Sequence, residues 1–303
     1  MSAARGAPRA GAGHVDIVAR LQRRRAEAGE AERRLIDCIL SDLHFAASAP
    51  IARIAGRAGI SEPTITRLAR ALGLSGTRDL RFHLAQALAI GGAYLRASDT
   101  PPAPADGGVI AQVSGGAHAA LDLMCAALGE VDLPALVAPL VAARQIVVCG
   151  TGGGSSMAAS ELQNRLFRLG LSVTAHCDPQ LQRMSGSVLG PDCVAVGFSL
   201  SGQARSVIDA LLIARQYGAR TIAVTPPGTA LAEAAEALLP LTFREDGKLY
   251  KPTSSRYALL AAVDILAMAT AEAIGPGVIE TLRRVRQSLA SQDIRNPELP
   301  IGD

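Results

Sequence analysis

The sequence predicts an α/β chain in two parts: an all-helical segment containing a helix-turn-helix, followed by a doubly wound, five-stranded parallel sheet. Three observations predict it. The periodicity is helical from His14 to about Leu95, a break rich in proline and glycine runs from Ser98 to Gly108, and after Ala143 five short apolar runs alternate with helical segments. Such alternation marks a parallel sheet, because each crossover helix must pack back onto the sheet and cover it. The expected domains are 14–96 and 110–291, with a linker at 97–109.

Residues 1–13, rich in Ala, Gly and Arg, carry no apolar pattern and are expected to be disordered. In the first domain the informative stretch is Ile51 to Leu72. Ile51, Ile54, Ala55 and Ala58 form one apolar face of a short helix, Gly59 stands where the chain must turn, and Ser61 is placed to cap a second helix buried through Ile65, Leu68 and Leu72. Small Ala55 lets the helices cross closely, Gly59 permits a left-handed backbone, and Ile65 fills the gap, which is the helix-turn-helix arrangement.

The outward positions of the second helix are Glu62, Thr64, Thr66, Arg67 and Arg70, while Arg53 and Arg57 lie on the first. The N-terminal end of such a helix fits the major groove of double-stranded DNA, where threonine meets a thymine methyl and arginine bonds guanine. Arg78 and Arg81, after a turn at Gly73 to Thr77, are placed for phosphates. With Ser61 at the helix start, these residues make up the expected DNA-binding face. An ordinary helical hairpin with a solvated arginine face is the competing reading.

In the second domain the expected strands are Ile146 to Cys149, Leu171 to Ala175, Cys193 to Phe198, Thr221 to Thr225 and Ala237 to Leu241. The helices between them are Ser155 to Leu169, Pro179 to Val188, Gln203 to Tyr217 and Thr229 to Glu236. Two helices precede the sheet, Ile110 to Leu128 and Leu133 to Ala143. Two follow it, Ser255 to Ile274 and Val278 to Ser291, parted by Gly275, Pro276 and Gly277.

Two strand-to-helix loops carry the chemistry. The first runs Gly150, Thr151, Gly152, Gly153, Gly154, Ser155, Ser156, and presents backbone N–H groups and a helix N-terminus to an anion. The second, Ser199, Leu200, Ser201, Gly202, Gln203, adds hydroxyls. If the first and third strands are neighbours, the loops face each other where doubly wound folds bind ligands. The expected effector site is therefore Gly152, Gly153, Ser155, Ser156, Ser199, Ser201, Gly202 and Gln203. Local capping of the next helix is the simpler role for the serines.

Composition narrows the classes. Residues 1–97 carry 15 basic and 8 acidic side chains and residues 98–303 carry 15 and 19, so a basic first part meets a polyanion and a mildly acidic remainder does not. Cys38, Cys125, Cys149, Cys177 and Cys193 are odd in number and widely spaced, which points away from a disulfide framework or a zinc cluster and toward a reducing cytoplasm. Arg5 and Arg9 precede no apolar signal segment, and the apolar tract from Tyr257 to Ile274 is interrupted by Asp264 and Glu272, so no membrane span is expected. No metal site, cofactor or catalytic residue is expected.

From about residue 15 to 291 the chain resembles the RpiR family of bacterial regulators. The likeness rests on Ser61, Glu62, Pro63, Thr64, Ile65, Thr66 and Arg67 through Leu72, Gly73 and Leu80 in the first half, and on Gly150, Gly152 and Ser199 to Gly202, typical of a sugar isomerase (SIS) domain, in the second. Asp178 to Met184 and Ser254, Ser255 and Arg256 to Asp264 are also similar. The Ser-Glu-Pro-Thr run and Leu84 to Gln86 resemble the hexose-metabolism branch, whose effector is a keto-deoxy sugar-acid phosphate. Two positions depart from the family: Gly154 stands for a serine of the first loop and Ala204 for a threonine after the second.

The resemblance implies a transcriptional regulator of carbohydrate metabolism that binds operator DNA and a small anionic sugar-derived effector. The alternatives are a sensor of a non-phosphorylated ligand and a sugar-phosphate isomerase, for which Glu161, His176 and Asp178 are the nearby bases. Helix-turn-helix regulators act as symmetric assemblies. A homodimer or homotetramer is therefore expected, with Gln112 to Leu128 and the last two helices as contacts.

Overall fold

A computed structural model describes residues 15–95, 107–244 and 253–290. The readings for residues 1–13 and for all but the end of the 97–109 linker lie outside these. The chain divides into two compact units between residues 103 and 104.

The described part of the first unit is helical: α1 (Ile17–Glu27), α2 (Glu30–Ser41), α3 (Leu43–Ser48), α4 (Ile51–Ala58), α5 (Glu62–Ala71) and α6 (Thr77–Leu95). Asp16 caps α1 by accepting from the Ala19 amide at 2.9 Å, and Asp42 caps α3 by accepting from Phe45 at 2.9 Å. Ile17, Leu21, Leu35, Ile36, Ile39, Ile54, Ile65, Leu68 and Leu84 close a single core. Gly59 (φ 63°, ψ 42°) ends α4, and the next amide, Ile60, bonds the Ala55 carbonyl at 3.0 Å. A side chain at Gly59 would be strained in that left-handed backbone.

The second unit holds α7 (Gly108–Leu128), α8 (Leu133–Ala142), β1 (Gln145–Gly150), α9 (Gly153–Arg168), β2 (Val173–His176), α10 (Pro179–Val188), β3 (Cys193–Phe198), α11 (Arg205–Gln216), β4 (Arg220–Thr225), α12 (Ala230–Ala234), β5 (Ala237–Pro240), α13 (Ser255–Ile274) and α14 (Gly277–Ala290). The sheet is parallel throughout, in the order β2-β1-β3-β4-β5. Alternate residues of β1 and β3 serve opposite faces. Ile146, Val148, Val194, Val196 and Phe198 join α8, α9 and α13, while Val147, Cys149, Cys193 and Ala195 join Leu189, α11 and α12. Burial of Cys149 pushes its thiol up to about 12, so it is a packing residue and not a thiolate.

Element ends differ from the sequence reading by one or two residues. β2 starts at Val173 rather than Leu171, because the left-handed turn at Gly170 delivers the chain to the sheet only at the Ile146–Val173 pair. α11 starts at Arg205 because Ser201 to Gln203 form a turn of their own. By length and composition α7 and α13 are both apolar enough to cross a membrane. α13 is a core helix through Ala258, Leu259, Ala262, Val263 and Leu266, whereas α7 buries only Ala120 and Met124.

Candidate functional site

The outward face of α5 differs in part from the expected one. Pro63, Arg67 and Arg70 are exposed and Thr66 is half-buried, but Thr64 is only 8% exposed, on the stripe shared with Ile65 and Leu68. Helical geometry sets this: positions 64, 65, 68 and 72 fall on one side, and α5 packs against α2, α4 and α6. Glu62 is exposed at the first turn. Ser61 occupies the cap position, yet its hydroxyl bonds no backbone amide; it lies 3.1 Å from the Thr64 hydroxyl, which also accepts from Arg67 Nη2 at 3.1 Å.

The remaining arginines divide into engaged and free. Arg57 pairs with Asp42 at 3.0 Å and lies 4.6 Å from the centre of the Phe45 ring, with Arg53 on the same ring at 5.9 Å. Arg81 was placed with the phosphate contacts, but it donates to the Ala47 and Ser48 carbonyls at 3.0 and 2.9 Å, closing the C-terminal end of α3. Among the described residues the side chains of Arg70 and Arg78 are exposed and make no hydrogen bond or ion pair.

In the second unit β1 and β3 are neighbours, with Gly150 opposite Phe198, so the two loops flank one crevice at the switch point of the sheet. Gly152 (φ 84°) turns the chain into α9, and a Cβ on Gly150 would come within 2.1 Å of the Ser155 carbonyl oxygen, so the helix start presses on the strand end. Gly152 and Gly153 are exposed. Ser155 is buried, and the Ser156 hydroxyl donates back to the Gly152 carbonyl.

The second loop braces itself. Ser199, 2% exposed, accepts from the Gly202 amide at 3.0 Å, and its carbonyl accepts from the Thr225 hydroxyl at 2.8 Å. Ser201 is exposed and accepts from the Gln203 amide at 3.2 Å; Gln203 is exposed and Gly202 is buried with a left-handed backbone against Thr229. Ser155 and Ser199 thus belong to the walls, and Gly152, Gly153, Ser201 and Gln203 to the accessible rim. A side chain at Gly154 would start 3.2 and 3.3 Å from the methyls of Leu200 and Leu259, and Ala204 leaves α11 without a side-chain cap.

Three residues that join the loops, Thr151, Gln182 and Ser206, were not among the expected site residues. Gln182 is fully buried, and its amide nitrogen reaches the Gly150 carbonyl at 3.1 Å, the Thr151 hydroxyl at 3.1 Å and the His176 carbonyl at 2.8 Å. The Thr151 hydroxyl lies 3.1 Å from that of Ser206 in the first turn of α11. Of the isomerase candidates, Glu161 pairs with Arg165 at 2.7 Å and Asp178 caps α10 through the Gln180 and Leu181 amides. His176 contributes its carbonyl to Gln182. Among the described residues no group of three His, Cys, Asp or Glu side chains is arranged to hold a metal.

Comparison with known proteins accounts for both halves. Residues 15–91 match the helix-turn-helix domain of the rpiR family and residues 140–269 match the SIS domain. The chain is 32% identical over 277 residues to the HTH-type transcriptional regulator HexR of Pseudomonas aeruginosa, covering 90% of this chain and 95% of that one. It is 29% identical to HexR of Escherichia coli over 95% of this chain and 99% of that one. It is also 30% identical to the bifunctional protein glk of Paraburkholderia xenovorans, over 92% of this chain but 44% of that protein. Among solved structures, Vibrio vulnificus NanR complexed with ManNAc-6P superimposes with a TM-score of 0.55 at 24% identity, over 93% of this chain and all of that one. A helix-turn-helix at the start, a five-stranded parallel sheet behind it and near full-length likeness to HexR place this chain in the RpiR family of transcriptional regulators, with a SIS domain as its second half.

Proposed function

We propose that this regulator binds operator DNA through α5 and is controlled by a small anionic sugar derivative held between the β1–α9 and β3–α11 loops. The observation that carries the effector reading is the pairing of the two loops across neighbouring strands. Around that crevice stand the exposed Gly152 and Gly153 amides, the Ser201 hydroxyl and the uncapped first turn of α11. Arg183 and Arg205 both pair with Asp209 on α11, so two cations stand near the same helix start. A sugar phosphate or sugar-acid phosphate fits these donors. The Leu200 and Leu259 methyls at Gly154 remove one donor position, so the loops grip the anion through fewer hydroxyls than the family pattern provides.

In this reading the protein is a cytoplasmic homo-oligomer and not an isomerase, and the commitment of Glu161 to an ion pair and of Asp178 to a cap supports the second point. The experiment is a thermal-shift screen of phosphorylated sugars and sugar acids on the full chain, repeated with Ser201→Ala. A ligand that raises the melting temperature of the parent and not of the variant supports the site. Equal stabilisation of both places the ligand elsewhere, and turnover of the ligand overturns the non-enzymatic reading.

A further inference from the structure

We propose that Thr64 is a positioning residue for DNA recognition: Ser61, Thr64 and Arg67 form one hydrogen-bonded unit that fixes the Arg67 guanidinium for base reading. The inference rests on the reading of α5 as the recognition helix. Thr64 is a polar residue on the buried stripe of α5, and its hydroxyl is engaged on two sides, 3.1 Å from Ser61 Oγ and 3.1 Å from Arg67 Nη2. Arg67 can only donate, so the Thr64 oxygen accepts from it, and between Thr64 and Ser61 either hydroxyl can donate. Ser61 is exposed and spends no side-chain bond on the helix amides, so its hydroxyl serves Thr64 alone at the helix start.

The unit therefore runs from an exposed hydroxyl at Ser61 through the buried one of Thr64 to the Arg67 guanidinium. Its neighbour Arg70, one turn on, has no such partner among the described residues. A free arginine must be ordered when it binds, and ordering one such side chain costs affinity by about two- to tenfold. Holding Arg67 in advance recovers that factor for the matched sequence alone, because phosphates are bonded by any arginine conformation that reaches them.

The test uses the full chain, a duplex selected by the parent protein from a random pool, and a scrambled duplex of the same length. Thr64→Val keeps shape and removes the hydroxyl; Thr64→Ser keeps the hydroxyl. The expected result is that Thr64→Val lowers the ratio of selected to scrambled affinity by about three- to tenfold with the salt dependence unchanged. Thr64→Ser should retain the ratio, and Thr64→Val should have no further effect in an Arg67→Ala background. A ratio unchanged in Thr64→Val while Arg67→Ala lowers it overturns the positioning role alone. A ratio unchanged in Arg67→Ala overturns the reading of Arg67 itself. If Thr64→Val weakens both duplexes equally, or acts undiminished without Arg67, the residue serves only the helix core and the proposal fails.

Discussion

Arg78 and Arg81 lie three residues apart on one helix and do different work, and only the partners of each side chain separate them. Arg78 has no bonded partner among the described residues, so Arg78→Ala should weaken binding to all duplexes alike and reduce the salt slope by about one. Arg81 holds two carbonyls at the end of α3, so Arg81→Ala should lower the melting temperature of the first unit first; an unchanged melting temperature would return Arg81 to the phosphate face. Gln182 poses the same contrast in the second unit. Replacing it by leucine strands the Gly150 and His176 carbonyls, at a cost of about 1 to 3 kcal/mol each if they stay dry, measurable by urea unfolding. The partners of Arg81 lie 34 and 33 residues away in sequence, which is why the sequence showed that arginine and not its engagement.

At the scale of elements, β1 and β3 were legible because both their faces are buried, which leaves an unbroken apolar run. The edge strand β2 was legible as a strand but not at its start, which depends on the Gly170 turn. Gly150 tests the contact between strand end and helix. Gly150→Ala would force its methyl onto the Ser155 carbonyl, so a loss of about 1 to 3 kcal/mol is expected together with a displaced first loop. Unaltered stability would mean that α9 can slide freely at its start.

Two capping carboxylates tie helix starts to acidity. Asp42, bonded by the Phe45 amide and then by Arg57, and Asp79, bonded by the Ser75 amide and hydroxyl, are both held below the ordinary carboxylate range. A lowered folded value means that their contribution is complete above about pH 4 and fades as pH falls through that lowered value. Asp42→Asn, which still caps but does not titrate, should therefore flatten the acid loss of melting temperature. A parallel pH profile for parent and variant would rule Asp42 out as a source of acid sensitivity.

For the molecule as a whole, the regulatory prediction is one of linkage: if effector alters operator affinity, operator must alter effector affinity by the same factor, typically about 5- to 150-fold. Calorimetric titration of effector with and without saturating selected duplex measures it, and equal affinities would separate ligand binding from DNA binding. The sequence alone determined the class of the molecule, because its signals are local and periodic: alternating apolar runs, the Ala55, Gly59 and Ile65 spacing, a basic first part, and loops of glycine and serine after two strands. What only the tertiary structure decided is which polar atoms are already spent. Thr64, Ser155 and Ser199 lie in walls, Arg57 and Arg81 hold other groups, and Thr151, Gln182 and Ser206 meet across the sheet end. A hydrogen bond between residues tens of positions apart leaves no periodic trace, since the chain records the donors and acceptors but folding alone selects their partners.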